Sequence, residues 1–540
     1  MPEPSGPPYA DHLRPPEDRP NQGPGWFGTP PADVLDTLPV EDTDVLVVGA
    51  GPTGLLAALV LARRGVSAVL VDREAGPTRE SRALAVQART VEVYDQLGLA
   101  EEFLARAHRA ARVQIGPVGR PALVDLAAAQ EGRTPFPGLH VLEQSRTEEL
   151  LVEALTATGR DVRWNHHLTG LDDRTAESDG RVLALLDGPD GLTRVRARWC
   201  VGADGAGSFV RRSLGLAFDG VTDDAVFWVA DVRGATGLPE DALTMRAGRR
   251  GFGVFYPLGP GGHARAISIA RDEDVTADEA LATARADLGV GHTSVDWFST
   301  YRVHHRVAEG FRRGAVFLAG DAAHVHSPVG GQGMNTGLQD AHDLANLLAD
   351  VVHGHVGVAA LDRYERERRR VALRLVRSTD RVFGVVGRGN RGTALLRRGF
   401  AAVAAPLAAR GVRTPVGRRA AGYLGQYRIR YSFAAGSSPA WADDPAVGRR
   451  LLPTDENRPA LRSMAWQLHS HGGRPARPAD LPDWVEGPHT FRADPTGRLR
   501  MDRTYLVRPD GFVAAAVPTS GGALDVEVLR AAFRAHHLRT

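Results

Sequence analysis

Val45-Leu46-Val47-Val48-Gly49-Ala50-Gly51-Pro52-Thr53-Gly54 is the stretch on which the reading of the whole chain turns. Four apolar residues run into a glycine, as a strand buried on both faces of a parallel sheet does. Gly49, Gly51 and Gly54 then form G-x-G-x-x-G. The first glycine of such a turn permits a tight reversal. The second lets backbone approach a pyrophosphate, and the third lets helix pack closely on strand. An apolar helix predicted over 55–64 stops at Gly65, and 68–71 reads as the next strand, so the segment predicts a βαβ unit. A phosphate would sit at the N-terminus of that helix. Asp72 lies 18 residues beyond Gly54, near the ~20 expected for a carboxylate on ribose hydroxyls. The other reading of Asp72 is a strand-end charge paired with Arg73.

A second stretch lies far downstream, Val316-Phe317-Leu318-Ala319-Gly320-Asp321-Ala322-Ala323-His324. It reads as a strand ending in a Gly-Asp turn. It continues through Pro328, Gly330-Gly331-Gln332-Gly333-Met334-Asn335 and Gly337 to Asp340. An aspartate at a strand end suits the hydroxyls of a flavin's ribityl chain. Closely spaced glycines let N–H groups face a flat ring. A helix starting near Gly333 would aim its positive end at the ring's pyrimidine edge. A third motif, Val201-Gly202-Ala203-Asp204-Gly205-Ala206-Gly207-Ser208 with Arg211, is open to two readings. It is either a further nucleotide contact or a plain turn with a helix cap at Ser208 and a surface charge at Arg211.

Bulk properties narrow the class. A chain of 540 residues is too long for one core and predicts two or three domains. All 66 basic residues are Arg, yet net charge is only +2, too small for a nucleic-acid or membrane field. The one cysteine, Cys200, excludes an internal disulfide, a thiolate zinc cluster and a CxxC redox pair. That removes the pyridine-nucleotide disulfide oxidoreductases. No export signal opens the chain and no apolar run is long enough for a bilayer, so the cytoplasm is expected. The adjacent pairs His166-His167 and His304-His305 sit in strand-like runs, where neighbours face opposite ways, so neither predicts a metal site.

Residues 1–42 hold eleven prolines and no periodicity, predicting an extended tail with Trp26-Phe27 as its one sticky spot. Residues 43–217 and 306–395 are assigned to a discontinuous dinucleotide-binding domain, with parts of 113–140 in the neighbouring layer. The strand-rich block 218–305 is assigned to the substrate. A helix over 361–382 carries a dense Arg/Glu face, read as a solvated surface. Residues 400–540 end in a hairpin around Arg508-Pro509-Asp510-Gly511 and a closing helix over 524–536, and form a separate small α/β domain.

The three motifs, in this order and spacing, resemble the FAD-dependent aromatic hydroxylases (group A flavin monooxygenases of the para-hydroxybenzoate hydroxylase fold). Within them the chain looks most like the phenol and polyketide hydroxylase branch. The resemblance implies an α/β chain. It has a Rossmann-like FAD-binding domain, an inserted β-sheet substrate domain and a C-terminal thioredoxin-like domain without redox cysteines. It implies that Gly49, Gly51, Pro52, Thr53, Gly54, Asp72 and Arg73 hold the ADP part of FAD. Arg82 would contact the FAD phosphates and Gln144 would lie beside the flavin. Asp204, Gly205, Ser208 and Arg211 would serve both FAD and NAD(P)H. Gly320 and Asp321 would hold the ribityl oxygens, and Pro328, Gly331, Gly333, Met334 and Asn335 would border the ring. It implies hydroxylation of a phenolic or polycyclic aromatic substrate, of polyketide type among others, with NAD(P)H and O2 through a flavin C4a-hydroperoxide. No metal, nucleic acid or membrane is involved, and a homodimer is one assembly the family allows. A Baeyer–Villiger or epoxidising oxygenase is a rival on the same scaffold, and an aromatic-binding protein without turnover is a third reading. Gly207 stands where relatives often carry a basic or bulky residue. Tyr256, His263, Tyr301 and Arg302 fall in the substrate block, but none is assigned as a base.

Overall fold

The computed structural model describes residues 35, 37–78, 83–172, 180–248, 252–270, 272–326, 331–377, 409–432, 439–494 and 497–540. The proline-rich leader through residue 34 with its Trp26-Phe27, Arg82, Pro328, the turn residue Asp179 and residues 378–408 lie outside the described residues.

The first sheet begins with β1 (Val40–Val48), whose last residues are wholly buried. Helix α1 (Pro52–Arg63) starts directly after the glycine turn and buries Gly54 through Leu61. Strand β2 (Ala68–Val71) returns parallel to β1, pairing Val48 with Val71. Helix α2 (Gln144–Thr156) packs on α1. Strand β3 (Gly191–Gly202) lies parallel on the other side of β1, and β4 (Val316–Leu318) lies parallel beyond it. The order β4-β3-β1-β2 places strands distant in sequence side by side. Helix α3 (Gly333–Val352) then crosses α1 with nearly every side chain buried.

A second sheet of eight strands is mostly antiparallel, with Phe218–Arg233 and Ser294–Ala308 as its long central pair. Arg112–Pro117 joins it in parallel beside Ala242–Ala247. One face packs Phe227, Phe252 and Tyr256 with Leu84 and Val141, and the other packs Trp228 and Phe255 against the helix Ala277–Thr283. The two sheets meet where β4 ends. A single 3-10 turn, Gly320–Ala322, leads into His324–Val325, which already pairs with Ser294–Ala308 in the second sheet.

The C-terminal unit is a five-stranded sheet with the helix Val526–Ala535 on it. Its apolar residues Trp466, Tyr505–Val507 and Val513–Val517 belong to the same buried cluster as β1 and α3. Trp466 Nε1 donates to Asp350 Oδ2 at 2.8 Å, and Arg64 pairs with the other oxygen of Asp350 at 2.6 Å. The helical stretch from 362 corrects the expectation of a solvated Arg/Glu face. Arg363, Glu367 and Arg368 are buried. Arg508, at the base of the C-terminal hairpin turn, is fully buried among Asp343, Glu367 and Asp510 at 2.5–3.0 Å. Buried charge is tolerated only when paired in this way.

Candidate active site

β1, β3 and β4 run parallel in adjacent positions, so their carboxyl ends open along one edge. Val48 is level with Gly202, and Gly202 with Leu318. The three motifs found in the sequence therefore follow three neighbouring strands, where open α/β sheets bind their ligands. Gly49 has φ +101°, and a Cβ there would lie 2.4 Å from the Ala203 carbonyl oxygen. A Cβ on Gly54 would lie 1.8 Å from the Gly49 oxygen. Neither site admits a side chain. Gly51 is the opposite case, with nothing within 4 Å of its would-be Cβ. The turn is thus closed on its inner side and open on its outer side. No side chain caps α1, so its first N–H groups remain available to an anion. These features fit a dinucleotide pyrophosphate.

Thr53 locks the early turn to the late one. A Cβ on Gly320 would lie 2.5 Å from Thr53 Oγ1, and a Cβ on Gly337 would lie equally close. The threonine fills the space that two glycines, one before Asp321 and one in α3, leave vacant. Asp321 is exposed at the corner between the sheets.

Behind this corner stands an ionic brace. Asp340 of α3 is wholly buried. Its Oδ2 takes a proton contact from His324 Nε2 at 2.7 Å and accepts the Gly320 N–H at 3.2 Å. Its Oδ1 accepts from Arg368 Nε at 2.6 Å, and Arg368 also reaches Tyr431 Oη and the Thr336 carbonyl. Burial alone would raise the Asp340 carboxyl, but Arg368 and His324 override it and hold it below its ordinary range. Asp340 closes the motif in sequence. Its partner Arg368 lies in the run of Arg and Glu expected on the surface, and is buried instead.

The Asp-Gly motif is internally satisfied. Ser208 Oγ donates to Asp204 Oδ1 at 2.6 Å and caps the following helix by accepting the Arg211 N–H at 2.9 Å. Arg211 is no surface charge. It is buried, donates to the Ala322 and Ala206 carbonyls at 2.8 Å each, and lies 3.8 Å over the Phe218 ring. Burial lowers its guanidinium to about 10. It ties the third motif to the Gly-Asp turn. Gly205 and Gly207 meet nothing within 4 Å and leave open backbone.

Asn335 is also spoken for. Its carbonyl oxygen accepts from Gln87 N and Thr90 Oγ1, and its amide donates to the Ala85 and Gly331 carbonyls, all at 2.7–2.8 Å. The side chain thus fastens the glycine loop to the strand Ala85–Val86. Gly331 has φ +59° and sits 2.5 Å from Ala85 Cβ and 3.6 Å from Tyr256 Oη by the same Cβ construction. Gly333 and Met334 are half-buried at the uncapped start of α3. Tyr256 is buried, which pushes its hydroxyl up to about 12 and keeps it protonated at neutral pH. Gln144 begins α2 and donates to Glu148 at 2.8 Å. Asp72 accepts the Ala50 N–H at 2.5 Å and the Glu74 N–H at 2.8 Å. Arg73 pairs with Glu74 at 3.2 Å, so the alternative of an Asp72–Arg73 pair does not hold. Among the described residues no group of three metal-ligating side chains occurs, and no helix is long and apolar enough to cross a membrane.

A glycine turn and a Gly-Asp turn interlocked at the strand ends of a parallel sheet, beside a second antiparallel sheet, define a flavin-binding fold. Residues 42–379 match the family described as FAD binding domain. The 6-methylpretetramide 4-monooxygenase of Streptomyces rimosus is 34% identical over 92% of this chain and 94% of its own. CabE, an aromatic hydroxylase from angucycline biosynthesis, superposes with a TM-score of 0.72 at 30% identity, covering 92% of this chain and all of its own. The flavin-dependent monooxygenase PieE, solved with FAD and substrate, gives 0.74 at 27% identity over 92% of this chain and 100% of its own. The chain belongs to the FAD-dependent aromatic monooxygenases.

Proposed function

We propose that this enzyme hydroxylates a phenolic or polycyclic aromatic substrate of polyketide type, using NAD(P)H and O2. The interlock of Thr53 with Gly320 and Gly337 carries the proposal. It holds the glycine turn against the Gly-Asp turn at the corner where the second sheet begins, which supports one FAD reaching both. The relatives named above supply the substrate class.

Bound here, FAD would supply the redox chemistry that couples NAD(P)H and O2 to oxygenation of an electron-rich ring. The protein's part is binding, orientation and exclusion of water. Gly49, Gly51 and Gly54 with the start of α1 would hold the pyrophosphate, and Asp72 stiffens that turn through the Ala50 N–H. Asp321 would accept from the ribityl hydroxyls. The backbone at 331–335, pinned by Asn335, would border the ring, and the positive end of α3 would favour negative charge there. Open backbone at Gly205 and Gly207 is where NAD(P)H would pass, since the side chains of Asp204, Ser208 and Arg211 are used internally. Tyr256, buried beside Gly331, would offer its hydroxyl as a hydrogen-bond donor there.

The purified protein should be yellow, and a polycyclic phenol should stimulate its NAD(P)H oxidation and gain one oxygen atom by mass spectrometry. Asp321→Ala should strip most of the flavin. A variant that keeps full flavin content would refute the ribityl role.

A further inference from the structure

The C-terminal unit holds a cavity of about 1160 Å³ that shares no residue with the three flavin motifs. Its walls come from 413–428, 445–456 and 491–499, together with Arg133, His471 and Val513. Among the described residues, nine arginines and three carboxylates line it. All three carboxylates are already engaged. Glu456 pairs with Arg492 at 3.1 Å, Asp455 lies 3.4 Å from Arg458, and Asp494 accepts the Arg498 and Leu499 N–H groups. Arg413, Arg418, Arg419, Arg449 and Arg498 have no carboxylate partner among the described residues.

Unneutralised guanidinium groups facing one concavity concentrate positive potential there. Arg449 shows the strain. Burial lowers its pKa first, and the nearby Arg430 and Arg428 lower it further. Two polar atoms on the wall point the same way. His471 Nε2 and Tyr427 Oη are buried without a hydrogen-bond partner. Buried polar atoms of this kind are rare unless something completes them. The ring of Phe491 and that of Tyr427 add flat apolar surface. Guanidinium forks match phosphate oxygens two at a time. The volume lies just above the span of small-molecule sites, about 300–1,000 Å³. A concave site of that size suits a small molecule better than a protein surface or a nucleic-acid strand.

We infer that this cavity is a second ligand site, separate from the flavin cleft, for a phosphate-bearing small molecule. The guanidinium groups would hold the phosphates, with His471 and Tyr427 completing the polar contacts. The aromatic walls would take a flat ring where the ligand has one.

Calorimetry on the full-length, FAD-saturated enzyme tests this with ADP and inorganic pyrophosphate as probes. Saturable binding is expected. It should weaken by at least about tenfold in Arg413→Glu/Arg418→Glu, which removes two charge-assisted contacts. Both arginines are exposed, so flavin content should stay that of the parent and report an intact fold. ADP binding well above pyrophosphate would assign the site to a nucleotide. Equal affinities would assign it to the phosphate group alone. The inference is overturned if neither probe saturates, or if the double variant binds as the parent does. Binding of poly-glutamate without either small anion would overturn it too, and would make the cleft an acidic-protein surface.

Discussion

The two sides of the flavin corner are built by opposite means. Its front is made of missing side chains. Gly49 and Gly54 have no room for a Cβ, Gly51 and Gly205 have nothing but space, and Gly320 and Gly337 make way for one threonine. Its back is made of charge. Asp340 is held by His324 and Arg368, and one turn of α3 further on Asp343 meets Arg508. The front must stay open for a ligand, so it gets its shape from backbone. The back must not move, and oppositely charged groups out of water hold one another in a single arrangement. α3 belongs to both, with its uncapped N-terminus in front and its carboxylates behind.

The largest test of this contrast is Gly54→Ala. One methyl group should abolish FAD binding, seen as loss of the flavin absorbance, because it would meet the Gly49 carbonyl head-on. Flavin retained in that variant would mean the front is plastic. Next in size is Arg508→Met. It would leave Asp343, Glu367 and Asp510 buried without their shared cation and should cost about 3–5 kcal/mol in denaturant unfolding. An unchanged midpoint would show that the rear charges decorate rather than hold.

Acid should act on the buried histidines as well. Burial lowers His140 to about 4, and His342 and His536 to about 3 each, against 6.5 for an ordinary histidine. Folded-state values below the unfolded one mean that the unfolded chain binds more protons. Stability from these groups is therefore complete above pH 6.5 and is lost as pH falls from there toward 4 and 3. Each imidazole contributes a slope of roughly 1.4 kcal/mol per pH unit within that window. His342→Leu should flatten the measured slope by one such share. An unaltered slope would place the titration elsewhere. The smallest effect belongs to Thr53→Ala, about 1 kcal/mol, with a few-fold weaker FAD in equilibrium dialysis. A loss as large as that of Gly54→Ala would make the interlock the dominant element of the front.

The front was legible in sequence because glycine spacing is a local signal. G-x-G-x-x-G after an apolar strand, and Gly-Asp after another, state their own backbone geometry. The back was legible only in part. Arg368 looks like one arginine in a run of them. Yet the buried residues Leu361, Tyr364, Ala372 and Leu375 form an apolar stripe in which position 368 falls. A charge on such a stripe needs a partner, and that signal was available. Which partner could not be read, because Asp340 is 28 residues away and equally acidic neighbours surround it. Arg211 misled in a similar way, since nothing local says that its guanidinium finds the Ala322 carbonyl 111 residues on. Asn335 shows the converse, a residue whose position in the loop is legible and whose side chain is used up in holding the loop to 85–90.

The nesting of Thr53 between Gly320 and Gly337 bears on how such enzymes can be recombined. A crossover that takes the N-terminal half from one parent and the remainder from another inherits a threonine without the two absences it requires. Productive chimeras should carry positions 53, 320 and 337 as a set from one parent, however far apart they stand along the gene.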